Sequence, residues 1–351
     1  MVEKGVDALL LSLGADLPWL TGYEAMPLER LTMLVLPVDG DATLIIPKLE
    51  ALRVEQDPEL FAIRPWTELE SPTQIVADIV GPRTNIAISD RCWATFMIDL
   101  QSKLPKASWR QSSQVTSPIR MCKDDAEMDA LRAASLAIDR VALQLQTGEI
   151  ALVGRSEADV SADISRRIIA EGHDRVNFAI VASGPNAASC HHHAGPRIIE
   201  AGEVVLCDFG GTMAGYCSDI TRCVYTGEPT AEFGEMYDAL MASNAAGVAA
   251  GTIGTPCQDV DRAARRVLDD AGYGEYFIHR TGHGIGMEEH EDPYIVEGNA
   301  LPLEHGHAYS VEPGVYIPGK WGARLEDIVI ATGGGPEPLN HADHRLIVVE
   351  A

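Results

Sequence analysis

Five ionisable residues lie where a core strand or a tight loop would ordinarily be apolar or neutral. The run Val204-Val205-Leu206-Cys207 leads into Asp208, and Asp219 follows as the next apolar run begins. Glu312 closes Tyr309-Ser310-Val311, and Glu326 lies in Arg324-Leu325-Glu326-Asp327-Ile328-Val329-Ile330, just before another apolar strand. His283 belongs to the glycine-rich stretch His279-Arg280-Thr281-Gly282-His283-Gly284-Ile285-Gly286. A strand–turn–strand hairpin would bring Asp208 and Asp219 to one end of a sheet. Four carboxylates converging on one pocket repel one another strongly enough to force protonation. Two divalent cations would cancel that charge, and His283 would add a nitrogen ligand. Hard oxygens with one imidazole suit Mn, Co, Fe or Zn rather than a thiolate-bound ion. Carboxylates shared between two ions would hold them about 3.5–4 Å apart, the two-metal hydrolase arrangement. Singly, each residue has a plainer reading: a turn cap for either Asp, a loop residue beside Pro313-Gly314 for Glu312, an ion pair with Arg324 for Glu326. The chemistry rests on the set.

The strings around these residues carry a family resemblance. Asp208-Phe-Gly-Gly-Thr-Met-Ala-Gly-Tyr216-Cys-Ser-Asp219-Ile-Thr-Arg222 resembles the first metal motif of the Xaa-Pro peptidases. These are pita-bread metallopeptidases of family M24, with prolidase and aminopeptidase P as members. His279-Arg-Thr-Gly-His283-Gly-Ile-Gly-Met-Glu-Glu-His290-Glu-Asp-Pro resembles the second motif, Ser310-Val-Glu312-Pro-Gly-Val-Tyr-Ile-Pro318 the third, and Arg324-Leu-Glu326-Asp-Ile the fourth. Several motifs in the right order are more specific than any single glycine pattern. The resemblance implies that Asp208 chelates one ion, that Asp219 and Glu326 bridge both, and that His283 and Glu312 complete the second. It implies two divalent ions, with Mn first and Co, Zn or Fe as alternatives. Ser183-Gly-Pro-Asn-Ala-Ala-Ser-Cys190-His191-His192-His193 resembles the family loop carrying a catalytic histidine. The spacing to Asp208 points to His191, and His192 and His193 read as solvated loop residues. His290 resembles the family's second catalytic histidine. Arg324 resembles an arginine near the substrate's carboxyl end, with a salt bridge to a ligand carboxylate as its plainer reading. Glu312 is placed by the resemblance to carry a proton to the leaving proline nitrogen.

The elements that must position these residues are legible as patterns. Asp124-Asp125-Ala126-Glu127 opens a helix in which Met128, Leu131, Ile138, Val141 and Leu145 recur at helical spacing, and Thr147-Gly148 ends it. A second helix over 156–171 opens on Ser156-Glu157-Ala158-Asp159, a candidate capping box. Strands are predicted over 178–182, 203–208 and 219–225, helices over 232–250 and 260–271, and strands over 308–312, 315–317, 324–331 and 345–349. Earlier in the chain, 6–13 and 85–88 read as strands. The runs 31–37 and 42–46 flank Val38-Asp39-Gly40-Asp41, a hairpin with an Asp-Gly turn. Thr116-Ser117-Pro118 reads as a junction. The expected architecture is α/β (α+β): a small creatinase-like N-terminal α/β domain over 1–116, then a pita-bread catalytic domain over 117–351.

Composition narrows the function classes. The 351 residues hold 27 basic and 52 acidic side chains, a net charge of −25 that repels phosphate backbones and anionic membranes. Seven cysteines, an odd number without a C-x-x-C pair, read as reduced thiols in a cytoplasmic protein. The N-terminus lacks the basic start and long apolar stretch of a signal peptide. No apolar run approaches the ~18 residues that span a bilayer. The expected activity is that of an Xaa-Pro dipeptidase, because the length and short N-terminal domain resemble small bacterial prolidases. An Xaa-Pro aminopeptidase acting on longer peptides is the alternative, followed by a hydrolase or lyase acting on a non-peptide substrate. A metal-free binding module is disfavoured by ligand-competent residues at all five positions. The resemblance also implies a homodimer and small proline-containing peptides as partners.

Overall fold

The structure is a computed structural model and describes residues 1–55 and 57–350. The chain divides into two compact units, Met1–Arg120 and Met121–Ala351.

The first unit contains β1 (Ala8–Leu11), α1 (Asp16–Thr21), β2 (Met33–Pro37), β3 (Thr43–Pro47), β4 (Ala62–Trp66), α2 (Pro72–Val80), β5 (Asn85–Ile88), α3 (Ala94–Lys103), β6 (Ser108–Gln111) and α4 (Ser113–Arg120). Its six strands form one mixed sheet in the order β4-β3-β2-β1-β5-β6. The continuous apolar run of β1 fits its central place, because both faces are covered. Ala8 and Leu10 pack with Val76 and Val80 of α2 and Leu100 of α3, whereas Leu9 and Leu11 pack with Leu17 of α1 and Val115 of α4. The expected hairpin forms, with Leu34 opposite Leu44. Thr116-Ser117-Pro118 lies inside α4, where Thr116 donates to the Asp16 carboxylate at 3.0 Å.

The second unit opens with α5 (Asp125–Gln146), α6 (Glu157–Ala170), β7 (Arg175–Ser183), β8 (Val204–Met213), β9 (Tyr216–Thr226), α7 (Ala231–Ala250) and α8 (Cys257–Asp270). It continues with β10 (Gly282–Gly284), β11 (Glu291–Ile295), β12 (Ala308–Val311), β13 (Gly314–Ile317), β14 (Trp321–Arg324), β15 (Asp327–Thr332), β16 (Gly335–Pro338) and β17 (Ile347–Val349). The sheets run β17-β9-β8-β7, β11-β10-β12-β15-β16 and β13-β14. Asp124 caps α5 in a complete capping box with Glu127, so the acidic start signalled in the sequence is also its physical anchor. Ile138, Val141 and Leu145 of α5 and Val160, Ile164 and Ile168 of α6 pack on Val205, Cys207 and Phe209 of β8. The other face of β8, through Val204 and Leu206, packs on Phe233, Met236 and Leu240 of α7. Among the described residues no helix is long and apolar enough to cross a membrane.

Three local expectations change. Asp208 is not at a strand end: β8 runs on to Met213 and turns at Ala214-Gly215, both with positive φ (48° and 84°), as a two-residue hairpin loop requires. Glycine stands at 210 within the strand because a Cβ there would run into the Ser218 carbonyl oxygen and come to 3.0 Å from the Phe178 ring. The predicted strand over 324–331 is two strands in different sheets. β14 pairs with β13 and β15 with β12, while the backbone at Glu326 crosses to Thr221 of β9. At Ser156 the capping box is half made. Its hydroxyl accepts from Asp159 N–H at 3.1 Å, but the Asp159 carboxylate, one methylene shorter than Glu, takes the Ser156 hydroxyl itself at 2.6 Å.

Candidate active site

The register of β8 and β9 places the first two carboxylates. Asp208 lies opposite Thr221, and Asp219 opposite Gly210, so the two acids are diagonal neighbours on the face that Val204 and Leu206 turn towards α7. On β7, Ile180 lies opposite Asp208 and Phe178 opposite Gly210, which gives the site an apolar wall. Glu326 occupies the corner between β14 and β15, where its Oε2 accepts from the Thr221 hydroxyl at 2.7 Å. Glu312 follows β12 and its Oε1 accepts from Ser310 at 3.2 Å. His283, in the middle of β10, is held by its backbone N–H on Ser310 Oγ at 3.0 Å. Its Nδ1 lies 3.1 Å from the Gly284 carbonyl, which can only accept, so the proton sits on Nδ1. The bare Nε2 then faces Glu312 Oε1 at 3.4 Å and Asp219 Oδ2 at 3.8 Å.

All five residues line one cavity of about 560 Å³. Asp219, His283 and Glu326 each offer a ligand atom within 4.8 Å of the others. Asp208 Oδ1 and Asp219 Oδ1 are buried without a hydrogen-bond partner among the described residues. On the protein's own charges, burial first and then repulsion from Glu326, Asp208 and Glu312 push the Asp219 carboxyl well above its ordinary range. Glu326 is raised in the same way, by burial and then by Glu312 and Asp208. Burial also lifts Glu312 to about 7, against the pull of Arg324. His283 is driven down to about 3, by burial and then by His290, so its imidazole is neutral. Orphaned oxygens, a bare imidazole lone pair aimed at carboxylates, and acids that resist ionisation together fit a site completed by divalent cations. The donors are oxygens with one nitrogen and no thiolate, as hard or borderline ions prefer.

Arg324 ends β14 fully enclosed. It pairs through Nη2 with Asp208, donates through Nη1 to Tyr316 at 2.7 Å, and through Nε to Thr221 Oγ1 at 3.1 Å. Of its two sequence readings, the salt bridge to a site carboxylate is present. His290 lines the cavity with its ring centroid 4.0 Å from that of His283. His191 is an exposed residue at the rim of the same cavity. His193 is exposed, but His192 is not the solvated loop residue its position suggested: its Nε2 lies 2.7 Å from the buried Glu157 carboxylate. A carboxylate without solvent must find donors, and His192 supplies one.

Sequence reasoning passed over Tyr316 and His279. The Tyr316 hydroxyl accepts from Arg324 and donates to His279 Nε2 at 2.9 Å, because His279 Nδ1 is committed to the Arg280 carbonyl. Burial, then Arg324, holds the His279 imidazole down at about 4. Neither carries a local signal: Tyr316 shares a face of β13 with Gly314, and only the register that pairs Gly314 with Arg324 brings its hydroxyl to the guanidinium. Arg280, stacked over the Tyr294 ring at 4.3 Å, also lines the cavity.

Residues 128–333 match metallopeptidase family M24, and residues 1–122 match the creatinase/prolidase N-terminal domain. A Mycobacterium tuberculosis protein described as a probable dipeptidase PepE is 43% identical over 352 aligned positions, spanning 99% of this chain and 93% of its own. The crystal structure of dipeptidase PepE from Mycobacterium ulcerans superposes with a TM-score of 0.91 at 42% identity, over 100% of this chain and 95% of that one. A prolidase from Thermococcus sibiricus gives 0.92 at 35% identity, over 99% and 96%.

Proposed function

This chain belongs to metallopeptidase family M24, a family of dinuclear metal enzymes, and from that premise we propose that it is an Xaa-Pro dipeptidase whose two ions are held by Asp208, Asp219, His283, Glu312 and Glu326. The observation that carries the assignment is the buried set itself: four carboxylates and a bare imidazole Nε2 around two orphaned oxygens. Mn²⁺ suits this oxygen-rich set best, with Co, Zn and Fe as alternatives. When bound, the ions supply a water of lowered pKa and a Lewis acid for the scissile carbonyl.

The chain's own residues do the rest. Arg324 pairs with Asp208 and fixes its direction. His191 at the rim of the cavity and His290 in its lining are the N–H donors for the carbonyl oxygen as negative charge develops on it. Burial holds the His290 imidazole below its ordinary range, so it donates as a neutral group. The Glu312 carboxyl, anchored through Oε1 on Ser310, is the group that hands a proton to the proline nitrogen. Phe178 and Ile180 give the pyrrolidine ring an apolar wall. Proline lacks the N–H by which ordinary proteases grip a substrate backbone, which is the physical case for a dedicated pocket. A cytoplasmic homodimer is part of this reading.

The test is hydrolysis of Ala-Pro and Ala-Pro-Ala by protein stripped with a chelator and then reloaded with Mn²⁺. Metal-dependent turnover of Ala-Pro well above that of the tripeptide is expected. Full activity in metal-free protein would overturn the site assignment, and preference for the tripeptide would make the enzyme an aminopeptidase.

A further inference from the structure

One buried carboxylate outside the metal set is hydrogen-bonded along the loop that carries His191. Glu157 is the first residue of α6, and its side chain is 0% exposed. Its Oε1 accepts from Ser183 N–H at 2.8 Å, the Ser183 hydroxyl at 2.7 Å and the Asn186 amide at 3.0 Å. Its Oε2 accepts from His192 Nε2 at 2.7 Å and Gly195 N–H at 3.3 Å. The backbone adds to this grip: Glu157 N–H donates to the Arg197 carbonyl and Ala158 N–H to the Gly195 carbonyl, each at 3.0 Å.

These partners are spread along the loop in a telling way. Ser183 ends β7, Asn186 lies in the following turn, His192 is the neighbour of His191, and Gly195 is on the far side. A single carboxylate therefore pins the segment at its start, its middle and its end. The position at the first turn of α6 favours a negative charge there, and a charged acceptor makes each of these bonds stronger than a neutral one would. The His191 ring has no hydrogen-bond partner of its own among the described residues, so the chain on either side must place it.

We propose that Glu157 is the positioning residue for His191, holding the 184–195 loop through His192, Ser183, Asn186 and Gly195 so that the His191 imidazole faces the reacting carbonyl. The proposal rests on the reading of His191 as a donor to substrate. Glu157 does not line the cavity and its hydrogen bonds go to the loop rather than to the five proposed ligands, so its removal acts through geometry.

The experiment is a double-mutant cycle on the Mn-loaded, full-length enzyme with Ala-Pro. Glu157→Gln is expected to lower kcat about tenfold or more, with KM changed less than about threefold and metal content unchanged. Glu157→Gln combined with His191→Ala should be no slower than His191→Ala alone, because positioning is irrelevant once the imidazole is gone. His192→Ala should act in the same direction more mildly, and it takes the place of Glu157→Gln in the cycle if that variant does not fold. Independent, multiplying losses in the double variant would overturn the proposal. If His191→Ala alone leaves turnover unchanged, the catalytic reading of His191 fails. Hydrogen exchange then judges the clamp by itself: amides of 184–195 should exchange faster in Glu157→Gln, and unchanged protection would refute it.

Discussion

Thr221→Val isolates how much of the metal site is held by a residue that is not a ligand. Thr221 is fully buried, donates its hydroxyl to Glu326 Oε2 at 2.7 Å and accepts from Arg324 Nε at 3.1 Å. Valine keeps the branched shape and deletes both bonds. A hydrogen bond to a charged group contributes about 1.5–3 kcal/mol. The lost donor also favoured the charged form of Glu326, so a proton competes better with a cation for that carboxylate. At about 1.4 kcal/mol per decade, the loss corresponds to metal affinity weakened roughly 10- to 100-fold, the range typical of outer partners of a ligand. Calorimetric titration of stripped wild type and variant with Mn²⁺ at neutral pH measures it. Thr221→Ser, which retains the hydroxyl, should stay within a few-fold of wild type. A Thr221→Val dissociation constant within twofold of wild type would refute the claim that this hydroxyl holds Glu326 in its ligating direction.

Two further outcomes follow from buried charge. Glu312 has its folded value raised from 4.5 to about 7, chiefly by burial, so its contribution to stability is full below pH 4.5 and is lost as pH rises through 7. In metal-stripped protein, wild type should lose on the order of 3 kcal/mol relative to Glu312→Gln across that window, and saturating Mn²⁺ should abolish the slope; parallel denaturant curves for the two proteins would show the reasoning wrong. Arg222, 0% exposed, pairs with Asp327 at 2.7 Å and donates to the Glu326 and Ala342 carbonyls. Arg222→Met strands the buried Asp327 charge, which should cost about 3–5 kcal/mol and lower the melting temperature by roughly 10 °C; an unchanged melt would show that His344, 2.7 Å from Asp327, compensates.

The amino-acid sequence by itself determined the local pieces and the inventory of the site. The acidic start of α5 at Asp124 and Glu127, the alternating or continuous apolar runs of β1, β5, β8 and β9, and the hairpin over 31–46 involve partners a few residues apart, or a periodicity that names a face. The four acids and His283 were visible for the same reason: an ionisable residue inside an apolar or glycine-rich run is a local anomaly. Register was not legible, because alternation says which face a side chain takes and nothing about its neighbour across the sheet. Only the fold set Asp208 two places from Asp219 in mid-strand, and broke the 324–331 run at Glu326 so that its backbone could reach Thr221. Only the fold drew His192 onto Glu157 and linked Arg324 through Tyr316 to His279. The proton on His283 Nδ1, which leaves Nε2 bare, was settled last, by the position of a carbonyl in a strand clamped from both sides. Each of these depends on segments brought together as the three sheets of the second unit are buried, and a buried polar group takes whichever partner that packing puts within reach.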